Sequence, residues 1–149
     1  MMEFQNLADL GAHFERIAQS AAFENGLGKA AQLLEEKAKE TIGEYHDAVG
    51  PMPAWAELAD ATKADRVAQG FPEDEPLLRT GELRDSIGHE VSGNEAWIGS
   101  DSDIAEYHEF GTSRMPPRPI FGTALYENID KVVDEIGHAA AVHISGGGK

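Results

Sequence analysis

The side chains best suited to catalysis in this sequence are three near neighbours, Glu106, His108 and Glu109. On a strand, Glu106 and His108 would lie on the same face, and imidazole and carboxylate groups are ligands of catalytic transition metals. A metal-dependent hydrolase is therefore one alternative for this chain. Two such ligands do not make a metal site, however, and we expect neither a metal nor a cofactor.

Other catalytic patterns in the chain are incomplete. Gly28-Lys29 resembles the end of a phosphate-binding loop, but Phe23 and Ala30 stand where that loop requires a glycine and a hydroxyl residue. Ser86 lacks the flanking glycines of a nucleophile elbow, and the chain contains no cysteine. The sequence therefore predicts a protein that is not an enzyme.

Two segments carry residue choices that packing alone does not explain. The first block, residues 76–87, reads PLLRTGELRDSI, and the second block, residues 107–121, reads YHEFGTSRMPPRPIF. A glycine in each block allows a backbone turn that a side chain would block, and a threonine beside it can cap adjacent N–H groups. The prolines of residues 111–119 predict a stiff, extended arm, which loses little conformational entropy when it docks on another surface.

Together the two blocks resemble those of the tail-completion and neck proteins of tailed bacteriophages, including the Mu-type virion-morphogenesis family. The matching positions of the first block are Leu78, Thr80, Gly81, Leu83, Arg84, Ser86 and Ile87. Those of the second are Tyr107, Phe110, Gly111, Thr112, Pro116, Arg118 and Pro119. The resemblance covers about residues 30 to 142, and the order of the blocks ahead of a last helix makes it quite specific.

The resemblance implies a structural subunit of the phage head–tail junction, arranged as a ring, often of six copies, through which the genome passes. The implied partners are other copies of the chain, the head-connector or head-closure protein, and the tail-tube or terminator protein. DNA would be only passing cargo, and no membrane is involved. The implied location is the virion, after assembly in the bacterial cytoplasm. A tail-terminator ring and a host regulatory module that binds a protein through the proline arm are the alternatives.

We expect the contacts between subunits to come from both blocks. Arg114 and Arg118 lie on the proline arm of a very acidic chain, so they can pair with carboxylates of an adjacent subunit and offset the repulsion between copies. The expected assembly residues are Arg79, Thr80, Gly81, Arg84, Phe110, Gly111, Thr112, Arg114, Pro116, Arg118 and Pro119.

The charge balance argues against a nucleic-acid-binding protein. The chain has 149 residues, of which 27 are acidic and 12 are basic, for a net charge of −15. Binding to DNA phosphates needs several clustered Lys or Arg residues, whereas an acidic surface suits a channel wall along which DNA slides. No apolar run approaches the roughly 20 residues of a membrane span, and the N-terminus lacks the pattern of a signal peptide.

The elements that must position the blocks follow from hydrophobic periodicity and turn residues. The predicted helices cover residues 4–46 with a break at residues 25–28, residues 54–69, and residues 120–142. The predicted strands cover residues 83–91 and 95–99, joined by a turn at Ser92-Gly93-Asn94, and residues 104–110 form a third strand or a short helix. We expect residues 73–75 to form an exposed acidic loop, and Trp55 and Trp97 to lie in the core.

These elements predict an α+β fold. It has a long N-terminal helical region, a small and mainly antiparallel sheet between about residues 83 and 112, and a C-terminal helix packed on the sheet. One domain would span residues 1–142, with residues 50–76 as a helical or loop insertion. Residues 143–149 would form a flexible tail.

Overall fold

The computed structural model describes residues 5–144 of the chain, and the side chains of residues 5–138. Within this range helices surround one two-stranded antiparallel sheet, so the α+β fold class is confirmed. In chain order the elements are α1 (Leu7–Ala18), α2 (Ala21–Thr41), α3 (Asp60–Ala68), α4 (Glu82–Asp85), β1 (Ile87–Ser92), β2 (Glu95–Ser100), α5 (Asp103–Phe110), α6 (Phe121–Glu127) and α7 (Ile129–Ile144).

The N-terminal helical region breaks at residues 19–20, and the break predicted at residues 25–28 is wrong. Ser20 caps α2, because its hydroxyl accepts a hydrogen bond from the Phe23 N–H at 3.1 Å. Gly26 and Gly28 instead lie inside α2, where each glycine costs up to about 1 kcal/mol relative to alanine. The packing of α2 against α7 and the sheet outweighs that cost.

Helix α2 also ends earlier than predicted, at Thr41, and the following helix starts later. Residues 53–59 have no regular secondary structure, so α3 begins at Asp60 and not at residue 54. The side chain of Arg118 holds the carbonyl groups of Ala56 and Glu57, which a helix through this segment would need for its own bonds. A distant arginine therefore overrides the local helical periodicity.

The hairpin of β1 and β2 confirms the predicted turn, since Ser92 pairs with Glu95 across it. The sheet is nevertheless shorter than predicted. One helical turn, α4, replaces the first residues of the predicted strand 83–91, and residues 103–110 form the helix α5 and not a third strand. Trp97 was predicted to be buried but is 53% exposed, because it pairs with Glu90 on the sheet face opposite that of Ile98.

The C-terminal helical region is interrupted once, so the single helix predicted over residues 120–142 is wrong. Asn128 separates α6 from α7, and its side-chain amide donates to the Ala124 carbonyl at 2.8 Å. Both helices pack on α2, and α2 supplies most of the helical contacts to the hairpin. Of the tail predicted for residues 143–149, the first two residues continue α7 and the others lie outside the described residues.

The main core cluster lies where α2, β1 and α6 meet, and both sequence blocks contribute to it. Trp55 is buried there as predicted, and its indole N–H donates to the Pro119 carbonyl at 3.2 Å. Burial of each large apolar side chain contributes about 1.5–3 kcal/mol. The cluster consists of Ala38, Ile42, Trp55, Ile87, Ile120 and Ala124, with Leu77, Leu78, Leu83 and Phe121 packed against it.

Candidate functional site

The two sequence blocks meet in one surface groove with a volume of about 530 Å³. Residues 57–66 form its third wall, and α5 closes one side with Ile104 and His108. Of the expected assembly residues, the groove brings together Arg79, Thr80, Gly81, Arg114, Pro116 and Arg118. The remaining ones, Arg84, Phe110, Gly111, Thr112 and Pro119, lie outside its lining.

The first block bends sharply where it enters the groove. Leu77 has a φ of 64°, which is a strained conformation for a branched side chain, and Gly81 has a φ of 88°. The Thr80 hydroxyl accepts a hydrogen bond from the Glu82 N–H at 3.3 Å, which confirms the predicted local capping. The Arg84 guanidinium lies over Gly81, and its Nε atom is 3.6 Å from Oδ1 of Asp85. Arg84 is therefore directed away from the groove and does not line it.

The second block reverses direction at Gly111. Its φ of 73° and ψ of 173° are essentially accessible to glycine alone, and a Cβ atom there would lie 2.8 Å from the Pro117 backbone nitrogen. After a tight turn between Thr112 and Met115, the Arg118 N–H donates to the His108 carbonyl at 2.7 Å. The proline arm therefore folds back on α5 of its own chain, and Pro119 is buried.

Glu109 joins α5 to α6. Its two carboxylate oxygens accept hydrogen bonds from the N–H groups of Ile120, Phe121 and Gly122, at 2.6, 3.0 and 2.9 Å. These N–H groups open α6 and have no partner within the helix, and a carboxylate is the favoured acceptor at a helix N-terminus. Glu109 is therefore committed to positioning the second block.

Two buried arginines form the floor of the groove, and we call Arg66 and Arg118 the floor arginines. They are 3% and 6% exposed. Arg118 donates from Nε to the Ala56 carbonyl and from Nη2 to the Glu57 carbonyl, both at 2.8 Å. Arg66 donates from Nε to the Pro72 carbonyl at 2.8 Å and from Nη2 to the Leu78 carbonyl. Burial lowers the pKa of Arg118 below its usual value.

Two further arginines, Arg79 and Arg114, reach the surface beside the groove, and we call them the rim arginines. The Nη1 atom of Arg79 donates to Asp65 at 3.2 Å, and its guanidinium lies 5.6 Å from the centre of the Phe71 ring. Arg114 is exposed and has no ion pair among the residues that the structure describes. The rim arginines therefore present positive charge to whatever covers the groove.

His108 lies on the groove wall and is largely shielded from water. Desolvation, with a smaller contribution from the Arg118 charge, lowers its pKa and so favours the neutral ring. The hydrolase alternative needs Glu109 as a ligand, and that carboxylate already accepts three backbone hydrogen bonds. Within residues 5–138 no three His, Asp or Glu side chains are grouped as metal ligands.

Sequence reasoning missed two residues of this region. Arg66 lies in a helix as predicted, but its side-chain bonds to the carbonyl groups of Pro72 and Leu78 were not foreseen, and its place near two prolines and the first block is only a weak signal for them. Glu109 was considered only as a metal ligand. Its position twelve residues before the start of α6 gives no local capping signal, because the contact depends on the folded arm.

Residues 6–138, most of the chain, match the sequence model of the phage virion morphogenesis family. The chain belongs to this family. Over 110 residues it is 31% identical to the "Mu-like prophage FluMu G protein 2" of Haemophilus influenzae, an alignment that covers 74% of this chain and 69% of that protein. No solved structure matches the chain.

Membership in the phage virion morphogenesis family confirms the resemblance inferred from the two blocks. It indicates a structural role in phage virion morphogenesis and implies a component of the virion. None of the helices described in residues 5–144 combines the length and the apolar character that a membrane span requires.

Proposed function

We propose that this virion morphogenesis protein is a subunit of a closed ring at the phage head–tail junction, where it completes the neck or tail and leaves a channel for the genome. It acts mechanically and is not an enzyme. The observation that carries the proposal is the groove itself, because the two blocks that resemble the neck proteins fold into one surface site in which Arg114 is exposed and Arg79 is half-buried.

The charge of the chain supports self-association through this groove. A subunit with a net charge of −15 repels other copies, so a ring needs a local positive surface wherever two copies meet. The rim arginines provide such a surface, and apolar groove residues such as Ile104, Leu83 and Met115 provide area to bury. Carboxylates that remain exposed can face the lumen and keep DNA from binding there.

Deletion of the gene from the phage or prophage genome tests the proposed position. We expect lysates of the deletion strain to contain filled heads and separate tails, with joined particles restored by the gene supplied in trans. Electron microscopy of the lysates measures both species. Joined, infectious particles in the absence of the gene would contradict the proposal, and tail tubes of uncontrolled length would point to the tail-terminator alternative.

A further inference from the structure

The groove concentrates the arginines of a strongly acidic chain. Four of the six arginines of the sequence line it, against two carboxylate residues, Glu57 and Glu82. Because the floor arginines are bound to backbone carbonyls, the accessible positive charge is that of the rim arginines, Arg79 and Arg114. The groove therefore fits a partner surface that combines carboxylates with exposed apolar side chains.

The outer face of α5, defined as Asp103, Glu106, Tyr107 and Phe110, has that chemistry. Tyr107 is 50% and Phe110 is 76% exposed, although aromatic side chains of this size usually bury 150–250 Å². Neither Asp103 nor Glu106 has an ion-pair partner among the described residues. Two carboxylates and two uncovered rings thus share one side of one helix.

The outer face cannot fill the groove of its own chain, because α5 contributes to both. Ile104 and His108, one helical turn apart, face the groove, whereas Ala105 is buried and Glu109 caps α6 on the inner side. At 3.6 residues per turn the outer face lies on the side of α5 opposite Ala105 and Glu109. Its complement must therefore be the groove of another molecule.

We propose that the outer face of α5 in one copy docks on the groove of the next copy, with Asp103 and Glu106 paired to Arg79 and Arg114. The two surfaces of this contact, the groove and the outer face of α5, are different, and every copy carries both of them. A contact of this kind is heterologous, and it closes into a ring when the rotation between copies divides a full turn. This inference rests on the proposed function, because it describes how neighbouring copies contact one another in the proposed ring.

Charge reversal on the two surfaces tests the contact in the deletion strain. Arg79→Glu with Arg114→Glu makes the groove acidic, and Asp103→Lys with Glu106→Lys makes the outer face of α5 basic. Each double variant alone places like charges together and weakens docking, so we expect at least about a 100-fold loss of infectious titre. All four substitutions in one chain restore opposite charges, and we expect the titre to return to within about tenfold of the wild type.

The matched control for the groove variant is Lys29→Glu with Lys131→Glu, two exposed positions outside the groove that change the net charge equally. We expect this control to keep a wild-type titre. Thermal unfolding of every purified variant separates loss of docking from loss of folding. If groove reversal abolishes the titre but the fourfold variant does not recover, the groove binds a different partner and the proposed contact is wrong.

Disulfide trapping gives an independent readout, because the wild-type chain has no cysteine. In Glu106→Cys with Arg114→Cys, oxidation of particles or of concentrated protein should join copies into a ladder of linked oligomers. A mixture of the two single-cysteine variants should give only a dimer that joins one of each. The control variant, Glu106→Cys with Glu40→Cys, has its second cysteine on α2 and should give no ladder. A ladder as strong as that of Glu106→Cys with Arg114→Cys would overturn the contact.

The two proposals fail in different ways. Joined particles without the gene contradict the proposed function whatever the charge variants do. A deletion that blocks joining, together with charge variants that show neither loss nor rescue, contradicts only the docking of α5 on the groove.

Discussion

The floor and the rim of the groove use the same residue type for opposite purposes. The floor arginines, Arg66 and Arg118, are almost fully buried and donate to carbonyl oxygens of their own chain. Of the rim arginines, Arg114 is exposed and Arg79 is half-buried, and only the side chain of Arg79 has partners among the described residues. Arginine therefore stabilises the fold at the floor of the groove and offers charge to a neighbouring copy at its rim.

The difference has an energetic cause. Among residues 5–138 no carboxylate pairs with Arg118, so its burial depends on carbonyl groups that a helix or sheet would otherwise use. It ties residues 56–57 to the second block, while Arg66 ties α3 to the loop at Pro72 and to the first block. An exposed ion pair such as Arg79–Asp65 contributes only about 0–1 kcal/mol. The floor arginines therefore contribute more to the stability of the fold than the rim arginines do.

Substitution of a floor arginine is expected to have the largest effect and tests the difference between floor and rim most strongly. Arg118→Met removes the donors of two carbonyl groups, and each buried acceptor left unpaired costs about 1–3 kcal/mol. We expect the free energy of unfolding in urea to fall by about 2–6 kcal/mol, with loss of infectious titre as a consequence.

The matched control is Arg114→Met, the same change at the rim. Substitutions at exposed positions usually alter stability by less than about 0.5 kcal/mol, so we expect an unchanged unfolding midpoint together with a reduced titre. Equal destabilisation by both variants would show that floor and rim do not differ as described.

A smaller loss of stability is expected from Gly111→Ala, at the turn that places the floor and rim arginines of the second block. Its backbone conformation costs a side-chain-bearing residue about 1–3 kcal/mol, and the new Cβ atom would also press on the Pro117 nitrogen. Gly28→Ala, in open space inside α2, should instead stabilise the chain by about 0.5–1 kcal/mol. Urea unfolding compares the two, and equal midpoints would contradict the role of this turn.

Much of the fold could be predicted because its signals are local. The hairpin follows from strand residues around Gly93-Asn94, and the helices α2 and α7 follow from apolar spacing. The errors occur where distant contacts decide. The segment before Asp60 is not helical because Arg118 binds its carbonyls, and Asn128 divides the last helical region through a bond to Ala124.

Which residues form the candidate site could largely be predicted, but the groups that their side chains contact could not. The blocks indicated Arg79, Arg84, Arg114 and Arg118 as one set, and all of these except Arg84 line the groove. Sequence carries no signal for which guanidinium reaches a backbone carbonyl from some 60 positions away, so Arg118 was expected to pair with another subunit. In the present proposal the rim arginines, and not Arg118, pair with carboxylates of another subunit. Glu109 is similar, since its role as a cap exists only after the arm folds back.

The most direct test of the central claim is the position of this chain in purified virions, measured by cryo-electron microscopy of the head–tail junction. The account predicts a closed ring of this chain around the DNA path, with Arg79 and Arg114 of each copy covered by α5 of the next. Absence of the chain from the junction, or a ring in which the groove stays open to solvent, would contradict it.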